Sequence, residues 1–156
     1  MLDELLHRVR GYSPRPLETE RSFPEAAVLV PITRSDEPEL VLTLRASGLS
    51  THSGEVAFPG GRRDPEDRDL VHTALREAEE EIGLPPGLVE MVGPLSSLVS
   101  RHGIRVTPYV GVGAGYMWTD WRNVRGVSGA PGATGACARQ RSKVTPMAAR
   151  RMRASW

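Results

Sequence analysis

The segment from Asp69 to Ile82, Asp-Leu-Val-His-Thr-Ala-Leu-Arg-Glu-Ala-Glu-Glu-Glu-Ile, constrains the fold more than any other part of the chain. Strong helix formers dominate it, and Gly83 followed by Pro85-Pro86 stops it abruptly, so it predicts one long helix. The flanking sequence reads as strand. Residues 26–32 form a continuous apolar run, residues 39–45 follow Pro38, and residues 55–58 make a short third candidate. Two more strand candidates follow the helix, at about 89–99 and 104–110. Strands on both sides of one long helix predict a mixed α/β (α+β) order, not the regular alternation of a doubly wound sheet. At the start, Leu2, Leu5, Leu6 and Val9 recur at helical spacing up to Gly11, which predicts a short amphipathic helix over about 2–10.

The bulk properties agree with one domain. The chain has 156 residues, 39% of them apolar and 25% charged, and no apolar run approaches the roughly 18 residues that span a bilayer. Its opening lacks the charged-then-apolar order of a signal peptide, so a cytoplasmic protein is expected. The single cysteine, Cys137, excludes an internal disulfide and a cysteine-rich zinc site.

The near-neutral total charge conceals a division. Residues 1–111 hold 12 Arg against 18 Asp and Glu, whereas residues 112–156 hold 8 Lys and Arg against one acid, Asp120. All three Trp and the only Lys, Lys143, also follow residue 111. The Gly/Ala-rich run at 126–138 has neither strand nor helix period and would bury little apolar area. Such Gly/Ala/Arg/Pro-rich text is what GC-rich DNA gives in a wrong frame. The expectation is a domain over 1–111 and a flexible or frameshifted basic tail over 112–156, for which a solvated segment is favoured over nucleic-acid or membrane attachment.

The chemistry is expected between Phe58 and Leu84. At about 100° per residue, Glu77, Glu80 and Glu81 share an arc of about 100° on the helix, beside a separate apolar arc of Val71, Ala74, Leu75, Ala78 and Ile82. Carboxylates so placed repel one another, and a hard cation such as Mg²⁺ relieves that repulsion; spacing alone equally allows a solvated acidic face. Ahead of the helix, Phe58-Pro-Gly-Gly61 puts two glycines where the chain leaves a strand, which permits close backbone approach to a ligand or metal.

With Arg76-Glu-Ala-Glu-Glu-Glu-Ile-Gly-Leu84 at a fixed distance beyond it, this loop resembles the box of the Nudix hydrolases, Gly-x5-Glu-x7-Arg-Glu-U-x-Glu-Glu-x-Gly-U, where U is apolar. Arg76, Glu77, Ala78, Glu80, Glu81, Gly83 and Leu84 fill every specified place of its second half. The first half departs: Gly61 leads to Asp67 rather than Glu, and eight residues, not seven, separate Asp67 from Arg76. In this the chain is similar to the branch of the family that hydrolyses coenzyme A, which has Gly-Gly-x-x-Asp-x-x-Asp, here Gly60 to Asp67. Upstream, Leu42-Thr43-Leu44-Arg45-Ala46, Gly54 and Phe58-Pro59-Gly60-Gly61 also resemble that branch, although Ser50 stands where an Arg is expected. The resemblance covers about residues 25–111.

The resemblance implies an α/β/α sandwich with a mixed sheet, incomplete toward the C-terminus, and Mg²⁺- or Mn²⁺-dependent cleavage of a nucleotide diphosphate. It implies Glu77, Glu80, Glu81 and a Gly61 carbonyl as metal ligands and Arg76 as the residue that orients a box glutamate; Glu80 is the choice for the catalytic base, with a loop carboxylate from the C-terminal part as the alternative. Arg45, Phe58, Gly60 and Arg101 are the candidate substrate contacts, with Arg101 facing the 3′-phosphate if coenzyme A is bound. Other diphosphates (ADP-ribose, NADH, a nucleoside triphosphate) and a catalytically silent Nudix-like remnant or binding module are the alternatives. The expected partner is a small molecule, with a homodimer left open. His52 reads as a surface hydrogen-bonding residue and Ser97, Ser100, Arg101 and His102 as an ordinary hairpin loop. His7, His72 and Cys137 suggest nothing, and no nucleophilic serine or cysteine signature is present.

Overall fold

The computed structural model describes residues 2–19, 21–44 and 56–113. Its elements run α1 (Leu2–Arg10), β1 (Glu25–Thr33), β2 (Thr43–Leu44), β3 (Val56–Ala57), β4 (Gly60–Arg62), α2 (Leu70–Ile82), a 3-10 turn (Pro86–Leu88), β5 (Val89–Pro94), β6 (Leu98–Val99) and β7 (Arg105–Gly113). Among the described residues no helix is long and apolar enough to cross a membrane.

The main sheet has the order β4-β1-β7-β5, with β6 also pairing β7. β1 runs parallel to β7 from Glu25↔Arg105 to Thr33↔Gly113, and β4, β5 and β6 pair antiparallel to their neighbours, so the sheet is mixed. Alternate residues of the two central strands feed two apolar layers. Ala27 and Leu29 pack under Ala74, Ala78 and Ile82 of α2, while Ile32, Val110 and Val112 pack under Leu6 of α1. The result is the mixed-sheet sandwich expected, with one helix on each face.

Pro31 stands in a central strand, where a missing N–H would ordinarily break a ladder. It is tolerated because its nitrogen lies on the outer side of β1 beyond the β4 pairing at Ala26–Val28, between the Leu29 N–H, which donates to the Pro59 carbonyl at 2.8 Å, and the Thr33 N–H, which donates to the Glu39 carbonyl at 2.9 Å; the Pro31 carbonyl still accepts the Val41 N–H at 3.0 Å.

Four expectations change. The strand over 39–45 is reduced to a bridge between Leu40 and Ile32 and the two-residue β2, which pairs β3. The strand over 89–99 divides into β5 and β6, with the Leu95 N–H turned to the Pro108 carbonyl at 2.8 Å between them. Gly60 and Gly61, read as loop, form edge strand β4, because only a residue without Cβ fits against Ala27 and Val28 at Gly60. The strand expected over 104–110 runs Arg105–Gly113. Arg45, Ser50, His52, Gly54 and Cys137, and the tail from 114 to 156, lie outside the described residues.

Candidate active site

The site is built on β4, α2 and the loop that joins them. Asp69 caps α2, its Oδ1 accepting the His72 N–H at 2.7 Å, and Gly83 ends it in the left-handed conformation (φ 65°) that a side chain disfavours. Those two ends fix the rotational setting of the helix. Its apolar stripe faces the sheet, and His72, Thr73 and Arg76 meet the loop.

Asp67 is the centre of the arrangement. Its side chain is only 1% exposed, and it is ringed by donors. Arg76 grips it bidentately, Nε to Oδ1 and Nη2 to Oδ2, each at 3.0 Å. The Asp64 N–H and the Thr73 hydroxyl donate to Oδ2 at 3.0 and 2.8 Å. Arg76 beside it, then those two donors, hold the Asp67 carboxyl well below the usual carboxylate range against the opposing effect of burial. Asp67 in turn, helped by Glu77, holds the Arg76 guanidinium above its ordinary value.

So anchored, Arg76 presents Nη1 to Glu77 Oε1 at 2.9 Å and, more loosely, to Glu80 at 3.4 Å. Its Nη2 also reaches the Arg62 carbonyl at 3.2 Å, tying helix to strand. Burial pushes the Glu77 carboxyl up, opposed by Arg76. Glu80 is 59% exposed at its side chain and carries no short contact. The loop itself is braced by Arg63, which reaches Glu25 at 3.2 Å and the carbonyls of Asp67 and Arg68 at 3.4 Å.

Of the candidate metal ligands, Glu77 lies against Gly61 of β4, Glu80 stands beside Arg76, and Glu81 follows it on α2. Among the described residues no three acidic, imidazole or thiol groups form a ready cation cage, since Glu77 and Glu80 are turned to Arg76. The residues fit a hard divalent cation all the same. Their donors are oxygens, the less buried glutamate is free to swing, and a Cβ at Gly61 would overlap the Glu77 carboxyl, so the glycine keeps a space that a side chain would fill.

The substrate candidates are scattered. Phe58 and Gly60 lie at the β3–β4 junction, half-buried. Arg101 sits in the β6–β7 turn, its Nε donating to His102 Nε2 at 3.2 Å, at the end of the sheet where Glu25 pairs Arg105. The turn is closed by Ser100 contacts to Gly103 and Ile104, with Gly103 at φ 68°, as an ordinary hairpin loop requires.

Asp67, Asp64, Thr73, His72 and Arg63 were not among the predicted site residues. The Gly-Gly-x-x-Asp-x-x-Asp pattern was the signal for the two aspartates. The extra residue before Arg76 does no harm because Asp67 precedes the helix cap: the turn from the Asp64 carbonyl to the Asp67 N–H, 3.0 Å, sets its position.

A family model described as the NUDIX domain matches residues 23–127. The chain is 46% identical over 111 residues to an uncharacterized Nudix hydrolase NudL of Yersinia enterocolitica, covering 71% of this chain and 57% of that protein. It is 54% identical over 87 residues to an uncharacterized Nudix hydrolase NudL of Yersinia pestis, covering 56% and 44%. The chain thus spans about half the length of the curated relatives it matches. A Nudix hydrolase of M. smegmatis, RenU, shares the fold at a TM-score of 0.50 and 24% identity, covering 58% of this chain and 61% of that one. A mutT/nudix family protein of Listeria innocua does so at a TM-score of 0.51 and 17% identity, covering 65% and 72%.

Proposed function

This chain belongs to the Nudix family, and from that membership we propose that it hydrolyses the diphosphate linkage of coenzyme A or its thioesters, giving phosphopantetheine and adenosine 3′,5′-bisphosphate. The observation that carries the reading is the Asp67–Arg76 knot. The two aspartates that distinguish the coenzyme A branch, Asp64 and Asp67, both reach Arg76, at 3.5 and 3.0 Å, and Arg76 sets Glu77. The branch pattern and the box therefore act as one unit.

Glu77, Glu80, Glu81 and the Gly61 carbonyl would hold Mg²⁺ or Mn²⁺, which when bound neutralises diphosphate charge and acidifies water. Glu80, exposed and loosely held, accepts the proton as water attacks phosphorus and the bridging P–O bond breaks. Arg76 keeps Glu77 in place and does not touch substrate. Phe58 and Gly60, with Arg45 and Arg101, stand as the substrate contacts of this reading, and the chain acts on a small molecule.

Turnover of a panel of coenzyme A, dephospho-coenzyme A, NADH and ADP-ribose with Mg²⁺ or Mn²⁺ tests it, with Glu81→Gln as the control. Coenzyme A should lead, and loss of one charge-assisted contact to the 3′-phosphate should lower kcat/KM for the dephospho form by about 1.5–3 kcal/mol. Ser50, in the place of an expected Arg, favours the second reading, a broader nucleotide diphosphatase; equal turnover of the two coenzyme A forms, or faster ADP-ribose, would select it. Wild-type rates in Glu81→Gln would reject the box as the site.

A further inference from the structure

His72 touches the Asp67 knot without belonging to the box pattern. It lies one turn before Arg76 and two before Glu80 on α2, and the Asp69 cap on its N–H at 2.7 Å fixes its backbone. Its Nδ1 is buried without an aligned hydrogen-bond partner, yet stands 3.0 Å from Asp67 Oδ1. Buried polar atoms are ordinarily satisfied, so the contact requires an account.

The carboxylate supplies one. An ionised carboxylate offers about four lone-pair positions over two oxygens. Oδ2 already takes the Asp64 N–H, the Thr73 hydroxyl and Arg76 Nη2, whereas Oδ1 takes only Arg76 Nε at 3.0 Å. The remaining direction at Oδ1 is where His72 Nδ1 stands. A bare Nδ1 would face an anionic oxygen lone pair to lone pair, with nothing between; a protonated Nδ1, brought into line by rotation of the ring, donates across the 3.0 Å.

We propose that His72 is a positioning residue held in the Nδ1–H form, its Nδ1–H donating to Asp67 Oδ1 and fixing the carboxylate that orients Arg76 between Glu77 and Glu80. Nε2 lies on the partly exposed side, and the residue acts through Asp67 rather than on substrate. The consequence for turnover rests on the diphosphatase reading; the protonation of the ring stands on geometry alone.

Long-range ¹H–¹⁵N correlation spectra of the full chain with ¹⁵N-labelled histidine test it, with the His72→Asn spectrum assigning the resonance. The expected result is a proton on Nδ1; a ring protonated at Nε2 and bare at Nδ1 overturns the proposal. Kinetics then separate positioning from mere packing. His72→Asn restores a donor where Nδ1 stood and should keep kcat within about threefold, whereas His72→Gln, with its amide where Nε2 stood, and His72→Leu should lose about 10–100-fold in kcat with KM little changed. Wild-type kcat in His72→Leu overturns the positioning role. If the wild-type chain cleaves no nucleotide diphosphate, the diphosphatase reading fails, and the spectrum still decides the contact.

Discussion

Two ionic clusters occupy opposite faces of the same sheet and are made from the same groups. Under α2, Asp67 receives Arg76, Thr73 and the Asp64 N–H with its side chain 1% exposed. Under α1, Glu90 lies between Arg10, at 2.7 Å, and Arg34, with its side chain 47% exposed. The Asp67 carboxylate is desolvated and takes four hydrogen bonds, so its partners are held in one geometry. The Glu90 carboxylate joins α1 to β5 and the end of β1 while water competes for every contact. The difference teaches that an ion pair positions chemistry when it is buried and multiply hydrogen-bonded, and otherwise only decorates a junction.

The strongest way to break that contrast is Asp67→Ala. Leaving the Arg76 guanidinium with its main partner gone should destabilise the fold by about 3–5 kcal/mol, as breaking buried pairs does. A denaturant titration that moves by less than about 1 kcal/mol would place Asp67 with the surface pairs.

The adjoining glycines sharpen the same contrast, between what the fold needs and what the site needs. A Cβ at Gly60 would meet the Ala27 carbonyl and the Val28 Cα, both backbone, so Gly60→Ala should destabilise by about 1–3 kcal/mol, the usual result of overpacking. At Gly61 the three atoms nearest an added Cβ all belong to the Glu77 carboxyl, the end of a side chain that can move. Gly61→Ala should therefore melt near the wild type yet lose up to about 10²-fold in kcat, since a displacement near 1 Å has that effect on catalysis. Equal effects of the two on stability would remove Glu77 as the neighbour that matters.

What the sequence made legible follows this division. α2 was readable because its determinants are local: helix formers, and Gly83 supplying the left-handed end. β1 and β7 were readable from their apolar runs. β4 was not, because Gly60-Gly61-Arg62 has no side-chain pattern and becomes a strand only by its partner, Ala26–Val28. Residues 39–44 show the reverse failure, a strand-like pattern that pairs only through the Leu40 bridge and β2. The carboxylate stripe of α2 was legible, whereas Asp67 was obscured by spacing: separation along the chain measures distance on a helix but not across the turn at Asp64–Asp67. His72 carried no signal, since its role depends on where that turn sets Asp67.

Acid should act on the buried cluster with a definite sign. The folded Asp67 carboxyl is held well below the ordinary range, near 4 for a free Asp, so on acidification the unfolded chain takes up that proton first. The stability Asp67 contributes is complete above about pH 4 and is lost as pH falls toward and through the folded value. Stability measured between pH 6 and 2.5 should therefore fall less steeply in Asp67→Asn than in the wild type; identical slopes would mean that the folded carboxyl titrates as a free one.

The smallest effect is expected at the other cluster. Glu90→Gln keeps the size of the side chain and its reach to Arg10 and Arg34 while removing the charge. Both arginines are about half exposed, so water and salt replace what they lose, and the change in stability should stay within about 1 kcal/mol and shrink further at high ionic strength. The α1 junction does not depend on it, because Leu6 is buried against Ile32, Val110 and Val112 and supplies the apolar contact that seats the helix. A loss above about 2 kcal/mol that persists in high salt would show that the α1 cluster shares the character of the buried one, since screening acts on exposed pairs and spares desolvated ones.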